Sequence, residues 1–252
     1  MISPAHTTQA EPCARISRGE GCGVERCGLC DARAVSICDA LAQDQLGELA
    51  RATTVIEVAP GEVFRHEGDP PDYLFNITSG SVKVFKLLAD GRRQIVGFLT
   101  VGDFIGFGRP DAAPASAEAI TAVRLCRFER GRFRALLDSY PGLERRLLAV
   151  ASDEIAASQE HMVLLGRLTA KERVARFLLA RADCSQRVGG SRDRGFELPM
   201  SRADIADYLG LTTETVSRVF TQLRQAGLIE YDAARRVVLR ERGALSALAE
   251  GD

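Results

Sequence analysis

The stretch from residue 198 to residue 239, LPMSRADIADYLGLTTETVSRVFTQLRQAGLIEYDAARRVVL, constrains the fold more than any other part of the chain. Ser201 can cap a helix that runs to Leu209, and Gly210 suits the left-handed position that ends such a helix. Thr212 can then cap a second helix. Two short helices joined by a tight glycine turn make a helix-turn-helix. The run GLIEYDAARRVVL that follows predicts a hairpin, so this unit should be winged.

The second helix of this motif has an apolar face and a polar face. Its apolar residues recur at i, i+3, i+4 and i+7 and should point inward: Val216, Val219, Phe220 and Leu223. The start of such a helix meets base edges in the major groove of DNA. The polar residues at or near that start are Thr213, Glu214, Ser217, Arg218 and Thr221.

Arg218 and Glu214 have the chemistry needed to read base pairs. A guanidinium fork matches O6 and N7 of guanine, and a carboxylate can accept a hydrogen bond from N4 of cytosine. We therefore expect these two residues to read neighbouring positions of one half-site, with Arg235 and Arg236 of the wing available for phosphate. The alternative is that Glu214 and Arg218 only form an i, i+4 ion pair on a solvated helix.

Short apolar runs separated by turn residues occupy the chain from Thr53 to Phe128. Runs such as TVIEV, YLFNI and QIVGFL alternate with turns such as TSG, ADG and VGD. Many short strands at turn-separated intervals predict an antiparallel sandwich or barrel. A short helix is predicted just before them, from Ser36 to Ala50. The apolar residues that indicate this helix are Ile37, Leu41, Leu46 and Leu49.

A long helix is predicted between Leu143 and Leu168, where the sequence has no proline. Its apolar stripe is too long for a small β domain to cover, so a helix from a second subunit is the natural partner. The alternative is a connector packed on its own domain. The stripe at three- and four-residue steps consists of Leu148, Ala151, Ile155, Met162 and Leu165.

Four cysteines lie within the run CGVERCGLCDARAVSIC, residues 22 to 38. The chain of 252 residues has a net charge of -1 and no apolar stretch near the ~20 residues that cross a bilayer, so we expect a cytoplasmic protein without a membrane partner. Lasting disulfides are rare in the cytoplasm, which favours a metal or redox site. Residues 1–21 read as a flexible arm.

The type of cysteine site stays open on the residues alone. Cys22, Cys27, Cys30 and Cys38 could form a tetrahedral zinc site, and four thiolates also suit an iron-sulfur cluster. A thiol-disulfide active site in CGLC is weakly supported, since no βαβ unit surrounds it. No role is expected for Cys13 or Cys184, and three scattered histidines suggest no metal site.

From Cys27 to Leu239 the chain resembles the CRP/FNR family of bacterial transcription regulators. RADIADYLGLTTETVSRVF is similar to the family's DNA-reading segment, and ITSGSVKVF and RRQIVGFLTVGDFIGF are similar to its β-roll. The resemblance implies an α+β fold and a protein that is not an enzyme. After the arm it predicts a cysteine segment with a jelly-roll β-roll sensor (22–140), a dimerisation helix (141–168) and a winged helix-turn-helix (169–252).

The resemblance also implies the partners. The E-x-x-S-R core of Glu214, Ser217 and Arg218 is similar to the FNR-type version, which reads TTGAT half-sites in an inverted repeat of double-stranded DNA. The protein should act as a homodimer with RNA polymerase as a further partner. Family members that bind cyclic nucleotides have a Glu where this chain has Phe107, and no basic residue lies between Arg109 and Arg124. No cyclic nucleotide is therefore expected, because an unneutralised phosphate is costly to bury.

The FNR-type branch carries N-terminal cysteines and one distant cysteine in the β-roll. By resemblance, Cys27, Cys30, Cys38 and Cys126 would hold a [4Fe-4S] cluster that oxygen degrades, with loss of the DNA-binding dimer. The seven residues between Cys30 and Cys38 exceed the five of the best-known pattern. A structural zinc or a thiol redox switch is the alternative.

The dimerisation helix departs from the FNR-type pattern. Well-studied members carry on this face an acidic residue that opposes dimerisation, and alignment on SDEIAASQEHM puts Ser158 there. A serine removes the like-charge repulsion that an acid would bring to a helix seam. Glu154 remains and is expected to carry part of the switch.

Overall fold

The computed structural model of the protein describes residues 27–108, 111–187, 189, 195–233 and 235–251. The predicted arm, Cys13 and Cys22 lie outside the described residues. The α-helices are α1 (Leu46–Arg51), α2 (Arg130–Ser139), α3 (Pro141–Arg167), α4 (Ala170–Arg187), α5 (Arg202–Leu209), α6 (Thr213–Gln225) and α7 (Arg242–Glu250).

Eleven strands are assigned among the described residues, eight of them between residues 53 and 129. They are β1 (Thr53–Val58), β2 (Val63–Arg65), β3 (Tyr73–Ser79), β4 (Val82–Leu87), β5 (Arg93–Leu99), β6 (Phe104–Ile105), β7 (Ser116–Ala119), β8 (Val123–Glu129), β9 (Phe196–Glu197), β10 (Ile229–Tyr231) and β11 (Arg236–Leu239).

The first eight strands form the predicted β-roll. Two antiparallel four-stranded sheets, ordered β1-β8-β3-β6 and β2-β7-β4-β5, face each other across a core that includes Ile77 and Leu125 from one sheet and Val82 from the other. Successive side chains of a strand point to opposite faces, so each sheet also presents an outer face. We call the outer face of the first sheet the cysteine face and that of the second sheet the docking face.

The cysteine face is covered by the segment that precedes the roll, by α1 and α2, and by the start of α3. Phe104 and Phe128 of the sheet meet Phe133 of α2 there, with ring centroids 5.6 Å and 5.1 Å from that ring. Cys27, Cys38 and Cys126 pack against the same cluster.

The predicted helix from Ser36 to Ala50 is wrong as one element. The segment forms a 3-10 turn at Ile37–Ala40 before α1 begins at Leu46, and a further 3-10 turn at Arg33–Val35 precedes it. Side chains supply the competing local bonds, which breaks a helix in this way: Ser36 Oγ accepts from the Cys38 amide at 3.2 Å, and Gln45 Oε1 accepts from the Ala42 amide at 3.0 Å. The four apolar residues are nevertheless buried, as Ile37, Leu41, Leu46 and Leu49.

Helix α3 runs for 27 residues with a proline in its first turn, where the missing amide costs nothing. Leu143 near its start is buried in the core of the cysteine face, and Leu164 near its end is buried in the core of the C-terminal unit. The stretch between them is largely exposed. Within the described residues, no helix is long and apolar enough to cross a membrane.

The C-terminal unit is the predicted winged helix-turn-helix. Helices α4 to α7 surround one core, and β10, β11 and β9 form a small antiparallel sheet. That core also takes in Phe85, Ile95 and Phe98 of the docking face. The C-terminal unit is therefore packed directly against the roll.

Candidate DNA interface and cysteine site

The helix-turn-helix is built by the local signals that predict it. Ser201 and Asp204 form a reciprocal capping box at the start of α5, and Gly210 ends the helix in the left-handed conformation with φ 62°. Thr212 caps α6 by accepting from the Thr215 amide at 3.2 Å. The predicted inward residues of α6 are all buried: Val216, Val219, Phe220 and Leu223.

The predicted reading side chains lie together on the other face of α6. Four are exposed and Thr221 is partly buried; the exposed four are Thr213, Glu214, Ser217 and Arg218. In the described part of the chain the Arg218 guanidinium donates to Oγ1 of Thr215 at 3.4 Å, one turn back, and not to Glu214. The ion pair considered as the alternative is thus not formed, and both charged groups are available to a ligand.

The two wing arginines differ in their surroundings. Arg235 has φ 62°, a left-handed conformation that is unusual for a side chain of this size, and it donates to the carbonyl of Pro199 at 2.8 Å. Arg236 is exposed on β11. Arg236 is therefore better placed to contact phosphate, while the guanidinium of Arg235 is already bonded to the segment that precedes α5.

Arg202 was not singled out by the sequence and ties the wing to α6. Its guanidinium lies 3.4 Å from the centroid of the Phe220 ring and 5.4 Å from that of Tyr231. Such cation–π contacts strengthen when the cation is partly shielded from water. Only the fold brings α5, α6 and β10 together at this point, so no local sequence signal could have identified it.

Three of the four predicted cysteine ligands, Cys27, Cys38 and Cys126, pack against the core of the cysteine face. Cys27 and Cys30 share one turn, closed by a bond of 3.4 Å from the Cys30 amide to the Cys27 carbonyl. Cys38 lies in the second 3-10 turn and Cys126 in β8, and all four are partly buried. Among the described residues, no group of three or more His, Cys, Asp or Glu side chains is arranged to hold a metal ion.

Asn76 lies directly opposite Cys126 in the pairing of β3 with β8. It is 1% exposed, and its Oδ1 has no hydrogen-bond partner among the described residues. Sequence reasoning missed Asn76 because an Asn inside a strand carries no periodic signal. Burying the Asn76 amide oxygen without a hydrogen-bond partner nevertheless costs free energy. Asn76 is therefore an unusual residue for the sheet beneath the cysteine segment.

The predicted dimerisation residues occupy the exposed middle of α3 and its end. Leu148, Ile155 and Met162 are spaced by seven residues and are 61%, 61% and 64% exposed. Ala151 and Ser158 lie three residues after the first two, which is the a/d spacing of a coiled coil. Leu165 would continue this pattern but packs partly against the core of the C-terminal unit. Glu154 is exposed beside the seam.

Phe107 stands where a nucleotide-binding relative would have a carboxylate. Its ring packs on Phe104 with centroids 5.4 Å apart, at the edge of the cysteine-face core. The residue therefore adds to an apolar surface and offers no acceptor for a ribose hydroxyl.

Two family models match the chain. Residues 55–140 match a cyclic nucleotide-binding domain, and residues 172–248 match a Crp-like helix-turn-helix domain. The first match covers the strands of the roll and the second covers α5, α6 and the wing.

Curated relatives and a solved structure agree with these matches. The nitrogen fixation regulation protein FixK of Bradyrhizobium diazoefficiens is 41% identical over 81% of this chain and 85% of its own length. The transcriptional activator protein FnrL of Cereibacter sphaeroides is 33% identical over 86% and 89%, and anr of Pseudomonas aeruginosa is 36% identical over 82% and 84%. The structure of FixK2 from Bradyrhizobium japonicum superimposes with a TM-score of 0.72 at 38% identity, covering 78% of this chain and 96% of that one.

Proposed function

The chain belongs to the CRP/FNR family of transcription regulators, and from that premise we propose that it is an oxygen-responsive transcriptional activator with a [4Fe-4S] cluster. It binds TTGAT-type inverted repeats as a dimer when oxygen is low and acts there with RNA polymerase. The family consists of DNA-binding regulators and not of enzymes, and its members act as dimers on DNA.

The observation that carries the oxygen-sensing proposal is a shared core. Cys27, Cys38 and Cys126 pack against the same cluster as Leu143, Leu147 and Val150 from the start of α3. Cys27, Cys30 and Cys38 lie in one segment and Cys126 in the sheet below it, so ligation by all four would tie that segment down. Anything that loosens the segment also loosens the packing of α3.

The donor set suits a cluster. Cys27, Cys30, Cys38 and Cys126 would supply the four thiolates that hold a [4Fe-4S] cluster. When bound, such a cluster supplies a group that oxygen degrades. The cysteines would hold the segment that precedes the roll, and the apolar side chains around them would limit the access of water.

Iron and sulfide analysis of protein purified without air tests this proposal. We expect about four irons and four sulfides per chain and a brown colour that bleaches in air. Stoichiometric zinc without iron would establish the structural-zinc alternative. A metal-free protein whose DNA binding changes with the oxidation state of Cys27 and Cys30 would instead establish the thiol redox switch.

The exposed seam of α3 supports the dimer. Ile155→Glu should give folded monomers, because it places paired carboxylates in an apolar seam. Ala156→Glu is the matched control, since it adds the same charge one residue away from the seam and should leave the dimer intact. Light scattering distinguishes the two. Ser158→Asp should weaken dimerisation of cluster-free protein and make its dependence on the cluster steeper.

The exposed polar face of α6 supports specific DNA reading. Arg218→Ala should cost ~1–3 kcal/mol on the inverted repeat and relax the preference at the guanine. Glu214→Ala should broaden specificity while nonspecific binding stays equal or tightens, since a carboxylate cannot attract a polyanion. A uniform loss of affinity in Glu214→Ala with unchanged base preference would remove Glu214 and Arg218 as the reading pair.

A further inference from the structure

A cluster of ionised side chains joins the docking face of the roll to the first helix of the helix-turn-helix. Lys83 of β4 contacts Asp204 of α5 at 3.1 Å and Glu118 of β7 at 2.9 Å. Arg93 of β5 contacts Asp204 at 2.9 Å and Asp207 at 2.8 Å. Two cations from the roll thus hold two carboxylates that stand one turn apart on the same helix.

This cluster is largely buried. Lys83 and Asp204 are each 7% exposed. Burial by itself would raise the pKa of Asp204, but hydrogen bonds from Ser201 and Lys83 outweigh it and keep that pKa below its usual value. Buried charges are costly unless they are well paired, and separating the two partners of such a pair leaves an uncompensated charge. The cluster therefore resists sliding or tilting of α5, because any displacement would leave a buried charge unpaired.

Asp204 has a second task in the motif that reads DNA. Its carboxylate accepts from the amide of Ser201 at 3.1 Å and from the Ser201 hydroxyl at 2.6 Å, which completes the capping box of α5. At the other end of α5, Gln94 Nε2 donates to the carbonyl of Asp207 at 2.7 Å. The roll thus binds both the N-terminal cap and the last turn of this eight-residue helix.

Neighbouring contacts fix the same helix to the rest of the molecule. The ring of Phe98 on β5 lies 5.2 Å from that of Tyr208 on α5. Arg173 of α4 donates to the carbonyl of Leu209 at the end of α5 and to that of Leu165 on α3, both at 2.9 Å. Helix α5 is therefore held by the roll on one side and by the end of the dimerisation helix on the other.

We propose that Lys83, Glu118, Arg93, Asp204 and Asp207 form an orientation clamp that sets the position of the reading helix relative to the roll. The polar face of α6 stays exposed with the clamp closed, so the clamp positions the reading helix and does not mask it. A dimer of this family reads two half-sites whose separation must match that of its two reading helices. The clamp is thus a determinant of half-site spacing, and the proposal rests on the dimeric DNA binding described above.

The test measures spacing preference as well as affinity. Arg93→Gln removes two ion pairs of the clamp. Arg92→Gln is the matched control, because Arg92 is the adjacent residue and its ion pair among the described residues is an exposed one with Asp90. Full-length variants prepared without air are titrated with inverted repeats at the preferred spacing and at spacings one base pair shorter and longer. TTGAT half-sites are used first, and otherwise the repeat that the unaltered protein selects from random DNA.

Arg93→Gln should weaken binding at the preferred spacing roughly tenfold, which corresponds to about 1.4 kcal/mol, and should bind the three spacings more nearly alike. Arg92→Gln should keep the full affinity and discrimination. If Arg93→Gln fails to fold, Asp207→Asn removes one pair at a partly exposed position and should show the same trend, reduced in size.

Two results would overturn the clamp. One is an equal loss of affinity at all three spacings in Arg93→Gln, which is a stability effect alone. The other is a spacing preference that stays unchanged in both Arg93→Gln and Asp207→Asn. Failure of the unaltered protein on TTGAT repeats, with tight binding to another selected repeat, would overturn the proposed half-site and leave the clamp to be judged on the selected DNA.

Discussion

Both outer faces of the β-roll carry apolar side chains, Phe104 and Phe128 on one and Phe85, Ile95 and Phe98 on the other, but their polar groups differ. The cysteine face is covered by aliphatic and aromatic side chains with thiols at their edge and one buried amide, Asn76. The docking face holds a paired set of charges around Lys83 and Arg93. Apolar contact is roughly proportional to area and non-directional, whereas paired buried charges tolerate little displacement.

This difference suits different tasks on the two faces. A covering segment held mainly by apolar contact can loosen when an additional tie, such as ligation by the cysteines, is lost. A helix held by ion pairs at both of its ends keeps its orientation until a pair is broken. Helix α3 contributes Leu143 to the core of the cysteine face and Leu164 to the core that the docking face shares with the C-terminal unit, and so connects the two cores.

The largest effect is expected from a change on the cysteine face alone. Cys126→Ser should abolish iron binding, because it removes the only proposed ligand in the sheet, while the C-terminal unit stays folded. Cys184→Ser is the control, since Cys184 is buried in α4 within the C-terminal unit. Iron content and circular dichroism check both. Full iron retention in Cys126→Ser would show that the sheet of the cysteine face supplies no ligand and would contradict its proposed role in sensing.

The next effect concerns the docking face. Lys83→Met should lower the free energy of unfolding by about 3 kcal/mol, because partly buried Glu118 loses its cation and buried Asp204 keeps only Arg93. Lys86→Met is the control on the same strand, where the pair with Glu67 is largely exposed, and it should cost less than about 1 kcal/mol. Urea unfolding measures both. Equal costs would show that burial does not distinguish these pairs.

A polar-to-apolar change on the cysteine face should have the opposite sign. Asn76→Leu should raise the stability of iron-free protein by about 1 kcal/mol, because it removes a buried acceptor without a partner. Asn76→Asp should destabilise it, since a charge would then be buried there. Thermal unfolding of protein prepared without iron decides. Destabilisation by leucine would mean that the Asn76 amide makes bonds essential to the apo fold.

The smallest expected effect is a pH dependence of stability where α3 packs on α5, the helix that the docking face holds. His161 of α3 stacks on Tyr208 of α5 with ring centroids 4.2 Å apart, and burial lowers its pKa from the usual 6.5. A lowered folded-state pKa means that the folded protein binds fewer protons. The stability contributed by neutral His161 is therefore complete above pH 6.5 and is lost as the pH falls from there through the folded-state pKa.

His161→Phe isolates this contribution, because phenylalanine keeps the ring stack and cannot titrate. The unaltered protein should lose more stability than His161→Phe between about pH 7 and about pH 5. The charged groups that line the neighbouring cavity are the same in both proteins: Glu160, Arg176, Arg181, Asp183 and Glu250. Parallel pH profiles would assign the acid sensitivity to other groups. The pKa of Asp204 is lowered from its ordinary value of 3.8. The stability that its ionised form contributes is therefore lost only as the pH falls below 3.8.

Local signals in the sequence determined the DNA-reading unit. The caps at Ser201 and Thr212, the left-handed Gly210 and the inward face of α6 depend on residues within a few positions of one another. Short apolar runs separated by turn residues likewise predicted an antiparallel sandwich or barrel, and apolar residues at three- and four-residue steps marked the stripe of α3. Such patterns can be read without a fold because each is decided by neighbouring residues.

Only the tertiary structure decided the features that join distant residues. Lys83 and Asp204 are 121 positions apart, and Asn76 meets Cys126 only through the pairing of β3 with β8. The bond of Arg235 to the Pro199 carbonyl joins residues 36 positions apart, which spacing in the sequence cannot show. Burial and charge pairing are set by what the folded chain places together, which is why the helix-turn-helix was predictable and the surface that holds it was not.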